Sequence, residues 1–245
     1  MNILIVDTMH SSIFEMFREK GWAYTYQPQY DREQIIQNLP GFDGLIIRSK
    51  TKVNESLLSA TKDLKFIARA GAGLDLIDVD YVQKMGIELF HAGTGNRDAV
   101  AEHALGMLLG LFNNLIKSDR EVRSGVWDRE GNRGVELMNK TVGIIGYGNN
   151  GMATAKRLSS FGCEVLAYDK YRDNYSDEFA TAASVGEIQE CADIISFHVP
   201  LTEETRFWMN ESFINRVKNP FYLMNVARGE IVDLESLVNA MKDQK

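Results

Sequence analysis

Short apolar runs alternate with amphipathic stretches through the first ninety residues. Residues 2–6 (NILIV), 44–47 (GLII), 64–68 (LKFIA) and 87–90 (IELF) are brief and bounded by turn formers, the pattern of buried strands. Residues 12–19, 32–38 and 55–60 between them carry helical spacing. Strand–helix alternation predicts a mostly parallel sheet with helices on both faces. A second cycle opens at Thr141: TVGIIG (141–146), EVLAYD (164–169), DIISFHV (193–199) and FYLMNVA (221–227). The expected fold class is therefore α/β, with two doubly wound parallel-sheet domains at residues 1–95 and 96–245.

Residues 98–117 predict one long helix between the two cycles. Val100, Ala104, Leu105, Leu108, Leu111, Phe112, Leu115 and Ile116 recur at three- and four-residue spacing, and Asp98 suits the N-cap. The glycine-rich AGTGN (92–96) before it suits a hinge. Residues 117–140 mix charge signs around Trp127 and read as an extended surface arm. Gly106 and Gly110 form a GxxxG pair, read as close helix packing rather than membrane dimerisation. The longest apolar run, 104–112, falls short of the ~20 residues that cross a bilayer.

Composition narrows the function. The chain has 245 residues, 27 Lys plus Arg against 34 Asp plus Glu, and a net charge of −7. An acidic balance without a basic patch argues against nucleic acid or an anionic membrane as the main partner. Two scattered cysteines, Cys163 and Cys191, exclude a disulfide framework and suit a reducing compartment. Asp7 stands where a signal peptide would carry basic residues, so a cytoplasmic protein is expected. The four histidines are dispersed without an HExxH, no GxSxG occurs, and no metal site is expected.

The strongest local signal is Gly146-Tyr147-Gly148-Asn149-Asn150-Gly151. Three glycines at this spacing arise often by chance, but these close an apolar strand and open a helix at about residue 152. Gly146 permits the tight turn, Gly148 lets backbone approach a pyrophosphate, and Gly151 lets helix pack on strand. The helix N-terminus offers amides and a positive dipole end to phosphates. Asp169 ends the next strand, where a carboxylate can accept both ribose hydroxyls of NAD and repel the extra phosphate of NADP. Lys170 and Arg172 lie close to it. NAD is the expected cofactor.

Six segments in order resemble the D-isomer-specific 2-hydroxyacid dehydrogenase family, which includes D-3-phosphoglycerate dehydrogenase. They are IIRSKT (46–51), RAGAGLDLID (69–78), GNRDAVAEHALGMLL (95–109), GIIGYGNNG (143–151), FHVPLTEETR (197–206) and MNVARGEIVD (224–233). The resemblance implies a flavodoxin-like substrate domain, a Rossmann NAD domain and an active site in the cleft between them. It implies hydride transfer between NAD and a D-2-hydroxy acid, with 3-phosphoglycerate favoured because of the RSKT segment. It also implies a homodimer, here through residues 98–140.

Arg228, one residue past the last apolar run, suits a clamp on the substrate carboxylate and an electrophile at the reacting oxygen, and the resemblance gives it that catalytic role. Gly71, Ala72 and Gly73 follow a strand and suit a small backbone nest for the carboxylate. By resemblance, Arg48 and Ser49 meet a distal phosphate with help from Asn96; a second carboxylate, or no ligand at all for Arg48, are the alternatives. His198, Val199 and Pro200, with Val226 and Ala227, pass the cofactor, although a strand-end histidine without a role is the plainer account of His198. Glu102 and His103 are read as structural.

In this family the base for the hydroxyl proton is a histidine oriented by a glutamate, both downstream of the ARG segment. The sequence ends at Lys245, 17 residues past Arg228, and none of His10, His91, His103 or His198 matches that base. The expectation is a second domain incomplete at its C-terminal end, with an exposed apolar sheet edge and residues 1–245 inactive alone, since a general base supplies ~10²–10⁴-fold. The alternative is an NAD-binding protein without catalysis, either a fragment or one resembling the C-terminal-binding corepressors, for which residues 1–90 show no peptide groove.

Overall fold

A computed structural model describes residues 1–243. The chain divides into two compact units, Met1–Asn96 and a second from Arg97 onward. The first holds five strands: β1 (Asn2–Ile5), β2 (Ala23–Tyr26), β3 (Gly44–Ile47), β4 (Phe66–Arg69) and β5 (Glu88–His91). Their order is β2-β1-β3-β4-β5 and every pairing is parallel, the doubly wound flavodoxin-like order. Helices α1 (Ser12–Lys20), α2 (Arg32–Asn38), α3 (Glu55–Leu58) and α4 (Val79–Lys84) connect them. α2 starts on a full capping box: Asp31 Oδ1 accepts from the Gln34 amide at 2.9 Å, and Gln34 Oε1 from the Asp31 amide at 3.0 Å. Leu4, Leu45, Ile47, Ile67 and Val82 pack one face of the sheet, and Ile3, Ile5, Ile46 and Phe17 the other.

The second unit contains β6 (Thr141–Ile145), β7 (Glu164–Tyr168), β8 (Thr181–Ala182), β9 (Ile194–Phe197) and β10 (Tyr222–Asn225). The order is β10-β9-β6-β7-β8, again all parallel. Its helices are α5 (Arg97–Phe112), α6 (Leu115–Arg123), α7 (Asn149–Ser159), α8 (Val185–Cys191), α9 (Glu211–Arg216) and α10 (Leu234–Lys242). The two doubly wound parallel sheets are as the alternation implies.

Several details differ from the sequence reading. β4 begins two residues later than expected, because its ladder with β3 starts only at Phe66, opposite Gly44, and the apolar Leu64 is buried ahead of it. The single long helix is two, α5 and α6, bent by 56°. Asn114 breaks it with a left-handed φ of 51°, its side-chain amide donating to Arg133 O at 3.1 Å. Asp98 lies inside α5 rather than capping it, and its carboxylate takes Arg157 Nη2 at 3.1 Å. Glu102 meets the same nitrogen at 3.1 Å, which ties α5 to α7. Residues 117–123, expected in an extended arm, belong to α6.

Ala101, Ala104, Leu108 and Phe112 are the buried stripe of α5, whereas Leu111, Leu115 and Ile116 are exposed. Gly106 and Gly110 face open space: a Cβ on either meets nothing within 4 Å, so they are not a close helix contact among the described residues. No single helix among the described residues is long and apolar enough to cross a membrane.

Candidate cofactor and substrate site

In the second unit, Asn225, Phe197, Ile145 and Tyr168 pair in one row across four strands. Every cofactor candidate follows directly from that row. Gly146–Gly151 follow β6, Asp169 follows β7, His198–Pro200 follow β9, and Val226, Ala227 and Arg228 follow β10. At ordinary strand spacing the row is about 14 Å wide from β7 to β10. Strand order reverses between β6 and β9, the crevice where open α/β sheets take ligands.

The three glycines have separate reasons. Gly146 has φ +98°, and a Cβ there would lie 2.9 Å from the His198 carbonyl carbon and the Val199 amide nitrogen. The loops after β6 and β9 can meet only if residue 146 is glycine. A Cβ on Gly151 would lie 2.2 Å from Gly146 O, so the start of α7 packs on the turn itself. Gly148 differs: a Cβ meets nothing within 4 Å and the backbone is extended, φ −88°. No internal contact requires glycine at 148, but a pyrophosphate laid against the backbone would. Asn149 and Asn150 open α7, whose amino end supplies unpaired amides and a positive dipole end. Buried Asn150 Oδ1 has no partner among the described residues.

Asp169 is fixed from two sides. Its Oδ2 accepts from the Tyr147 amide and its Oδ1 from the Tyr171 amide, both at 2.9 Å. The carboxylate is thereby aimed while lone pairs remain for hydroxyl donors. Asp169, Tyr168, Lys170, Gly146, Gly148 and His198 line a cavity of about 310 Å³, together with Val199, Pro200, Glu204 and Trp208 from the segment after β9. This cradle fits an adenosine ribose and pyrophosphate.

Tyr147 turns its side chain away from the cavity wall and into the core. Its ring is fully buried and its hydroxyl donates to Asp177 Oδ1 and Oδ2 at 2.9 and 3.0 Å. Burial, reinforced by the Asp177 carboxylate, pushes this phenol well above its ordinary range. His198 is also held inward. Its Nε2 lies 2.8 Å from Ser196 Oγ, its Nδ1 is buried without a partner among the described residues, and burial lowers its pKa to about 4. A neutral imidazole with that pKa packs beside a cofactor but is poorly matched to proton abstraction near neutrality.

Arg228 lies three residues beyond β10 rather than one, because the strand ends at Asn225. Asn225 braces the segment: its side chain donates to Arg228 O at 2.8 Å and accepts from the Ala227 amide at 3.1 Å. The exposed guanidinium donates from Nη1 to Ala227 O at 2.7 Å.

In the first unit, Arg48 and Ser49 follow β3, and Gly71, Ala72 and Gly73 follow the neighbouring β4. The structure brings these two groups to adjacent strand ends, and Asn96 lies beyond β5. The Gly71 amide is already committed to Arg69 O at 2.9 Å, so the amides left to a nest are those of Ala72 and Gly73. Sequence reading missed Asp7 and Arg69. Both are buried and both hold Arg48: Asp7 Oδ2 accepts from its amide, and Arg69 Nε donates to its carbonyl at 3.0 Å. Two charged residues at the ends of β1 and β4, the buried strands that flank β3 on either side, were the available signal.

Residues 105–245 match the family described as D-isomer specific 2-hydroxyacid dehydrogenase, NAD binding domain. A hydroxypyruvate reductase from Thermotoga maritima is 36% identical over 231 residues, 94% of this chain and 75% of that protein. A D-3-phosphoglycerate dehydrogenase from Archaeoglobus fulgidus is 32% identical over 247 residues, all of this chain and 47% of that protein. The chain thus spans about half the length of that relative. Among solved structures, the D-lactate dehydrogenase of Aquifex aeolicus complexed with NAD and lactic acid matches all of this chain and 74% of its own. Its TM-score is 0.84 at 28% identity.

Proposed function

The chain belongs to the D-isomer specific 2-hydroxyacid dehydrogenase family, and from that premise we propose that it transfers a hydride between NAD and a D-2-hydroxy acid. The observation that carries this is the level row of strand ends, with the glycine turn and Asp169 towards one side and Arg228 at the other. In this reading Asp169 accepts the ribose hydroxyls, and the amino end of α7 with the bare backbone at Gly148 takes the pyrophosphate. Bound NAD supplies a hydride acceptor for the substrate's C2 carbon. Arg228 holds the carboxylate bidentately and polarises the oxygen that becomes a carbonyl. His198, its pKa lowered to about 4, is too weak a base to be given the hydroxyl proton in this reading.

For the substrate we favour 3-phosphoglycerate, with Arg48 and Ser49 toward a distal phosphate, Asn96 assisting, and Ala72 and Gly73 toward a carboxylate. The braced backbone of Arg48 supports this, since its amide and carbonyl are fixed before any ligand arrives and less backbone freedom is lost on binding. A homodimer through residues 98–140 is part of the same proposal, supported by Ile116 and Trp127 at 72% and 83% exposure. The unpaired Cys163 and Cys191 suit a reducing cytoplasm.

The test is calorimetric titration of NADH into the purified chain and into Asp169→Ala, with 3-phosphohydroxypyruvate, hydroxypyruvate, glyoxylate and pyruvate then compared as ternary ligands. NADH binding weakened at least tenfold by Asp169→Ala, with 3-phosphohydroxypyruvate the tightest acid, is expected. NADH binding indifferent to Asp169 overturns the cofactor reading. Preference for an unphosphorylated acid overturns the substrate.

A further inference from the structure

Asp169 is followed at once by Lys170 and, two residues later, by Arg172. NAD wants a carboxylate at the ribose, whereas a 2′-phosphate wants a cation there. The chain offers both chemistries within four residues, and the partners of the two cations decide between them.

Arg172 is committed to the glycine turn. Its Nη1 donates to Tyr147 O at 2.6 Å and lies 3.1 Å from the Met152 sulfur, with the guanidinium 5.9 Å from the Tyr147 ring centre. Lys170 is taken by Glu204, which comes from the loop after β9. Glu204 Oε1 accepts the ammonium, and its Oε2 accepts from the Tyr171 hydroxyl at 3.3 Å. Lys170, Tyr171, Glu204 and Asp169 all line the same cavity. Their hydrogen bond raises the pKa of Lys170 and lowers that of Glu204, so both are charged at neutral pH. The cavity is thus lined by one ammonium, already held by Glu204, and by two carboxylates, Asp169 and Glu204.

We propose that Glu204 is a specificity-determining residue: by holding Lys170 it withdraws that cation from a 2′-phosphate, so the pocket rejects 2′-phosphorylated adenosine through Glu204 as well as Asp169. The proposal rests on the reading that the second unit binds NAD at this cavity. Neither member of the pair belongs to the hydride-transfer machinery, and both are about half exposed, so substitutions there leave the core intact.

The experiment titrates the full chain, Glu204→Gln, Lys170→Ala and the double variant with 5′-AMP and with 2′,5′-ADP by calorimetry, with NADH as reference. Glu204→Gln is expected to tighten 2′,5′-ADP by about three- to tenfold relative to 5′-AMP, the scale of one partly desolvated ion pair. The gain shrinks as salt rises and is absent from the double variant. Lys170→Ala alone leaves the ratio of the two nucleotides near that of the parent. An unchanged ratio in Glu204→Gln, with 5′-AMP still bound, overturns the role of Glu204 and leaves the cofactor reading standing. Failure of the parent chain to bind NADH or 5′-AMP overturns that reading and this proposal with it.

Discussion

Gly146, Gly148 and Gly151 look equivalent in a motif but answer to different constraints, and substitution separates them. Gly151→Ala drives a Cβ to 2.2 Å from Gly146 O and is expected to lower the melting temperature as well as NADH affinity. The Cβ of Gly148→Ala meets nothing within 4 Å among the described residues, so this variant's melting temperature should match the parent while NADH affinity falls at least tenfold. Thermal melts beside NADH titrations check the contrast, and equal melting losses would remove the argument for an external ligand at Gly148. His198 carries a second prediction at this scale. Its folded pKa of about 4 lies below its ordinary 6.5, so the unfolded chain binds more protons between those values. Stability is then full above pH 6.5 and falls as pH drops toward 4, by at most about 3 kcal/mol. Urea unfolding at pH 7 and pH 5 should show a smaller difference for His198→Gln than for the parent.

At the scale of elements, the α5–α6 break turns on one residue. Asn114 holds φ 51°, a conformation costing most L-residues about 1–2 kcal/mol. Asn114→Ala is expected to destabilise more than Asn114→Gly by about 1 kcal/mol, read from denaturant midpoints; equal losses would mean that the bond to Arg133 O alone matters. The apolar spacing of residues 98–117 could not reveal this bend, because hydrophobic periodicity continues through Leu115 and Ile116 while the backbone does not. Buried central strands such as β3 were legible from their own residues. β2 (AYTY) was not, since an edge strand needs no uninterrupted apolar run and here packs Phe14 against Tyr24 and Tyr26. The two-residue β8 was also invisible. The glycine turn and Asp169 were legible because backbone geometry demands those residue types. Glu204 was not, because its partner Lys170 lies 34 positions away and only folding joins them.

For the whole molecule, two units with separate hydrophobic cores imply that a ligand confined to one stabilises that one. NADH at a hundred times its dissociation constant adds about 2.7 kcal/mol to the unit that binds it. Differential scanning calorimetry should show the second unit's transition moving up with NADH and the first unit's staying in place. A single transition moving as one would mean that the units unfold together.

The buried Tyr147 has a consequence for how quickly the protein can take up its ligand. A glycine-rich turn left to itself samples many shapes, and capture then waits on the productive one. Here the middle residue of the turn is anchored through its hydroxyl to Asp177, and its carbonyl is held by Arg172. The receptor is set before encounter, so stopped-flow NADH association should be one exponential whose rate rises linearly with concentration. In Tyr147→Phe, which keeps the ring and loses the tether, a slower step that saturates with concentration should emerge.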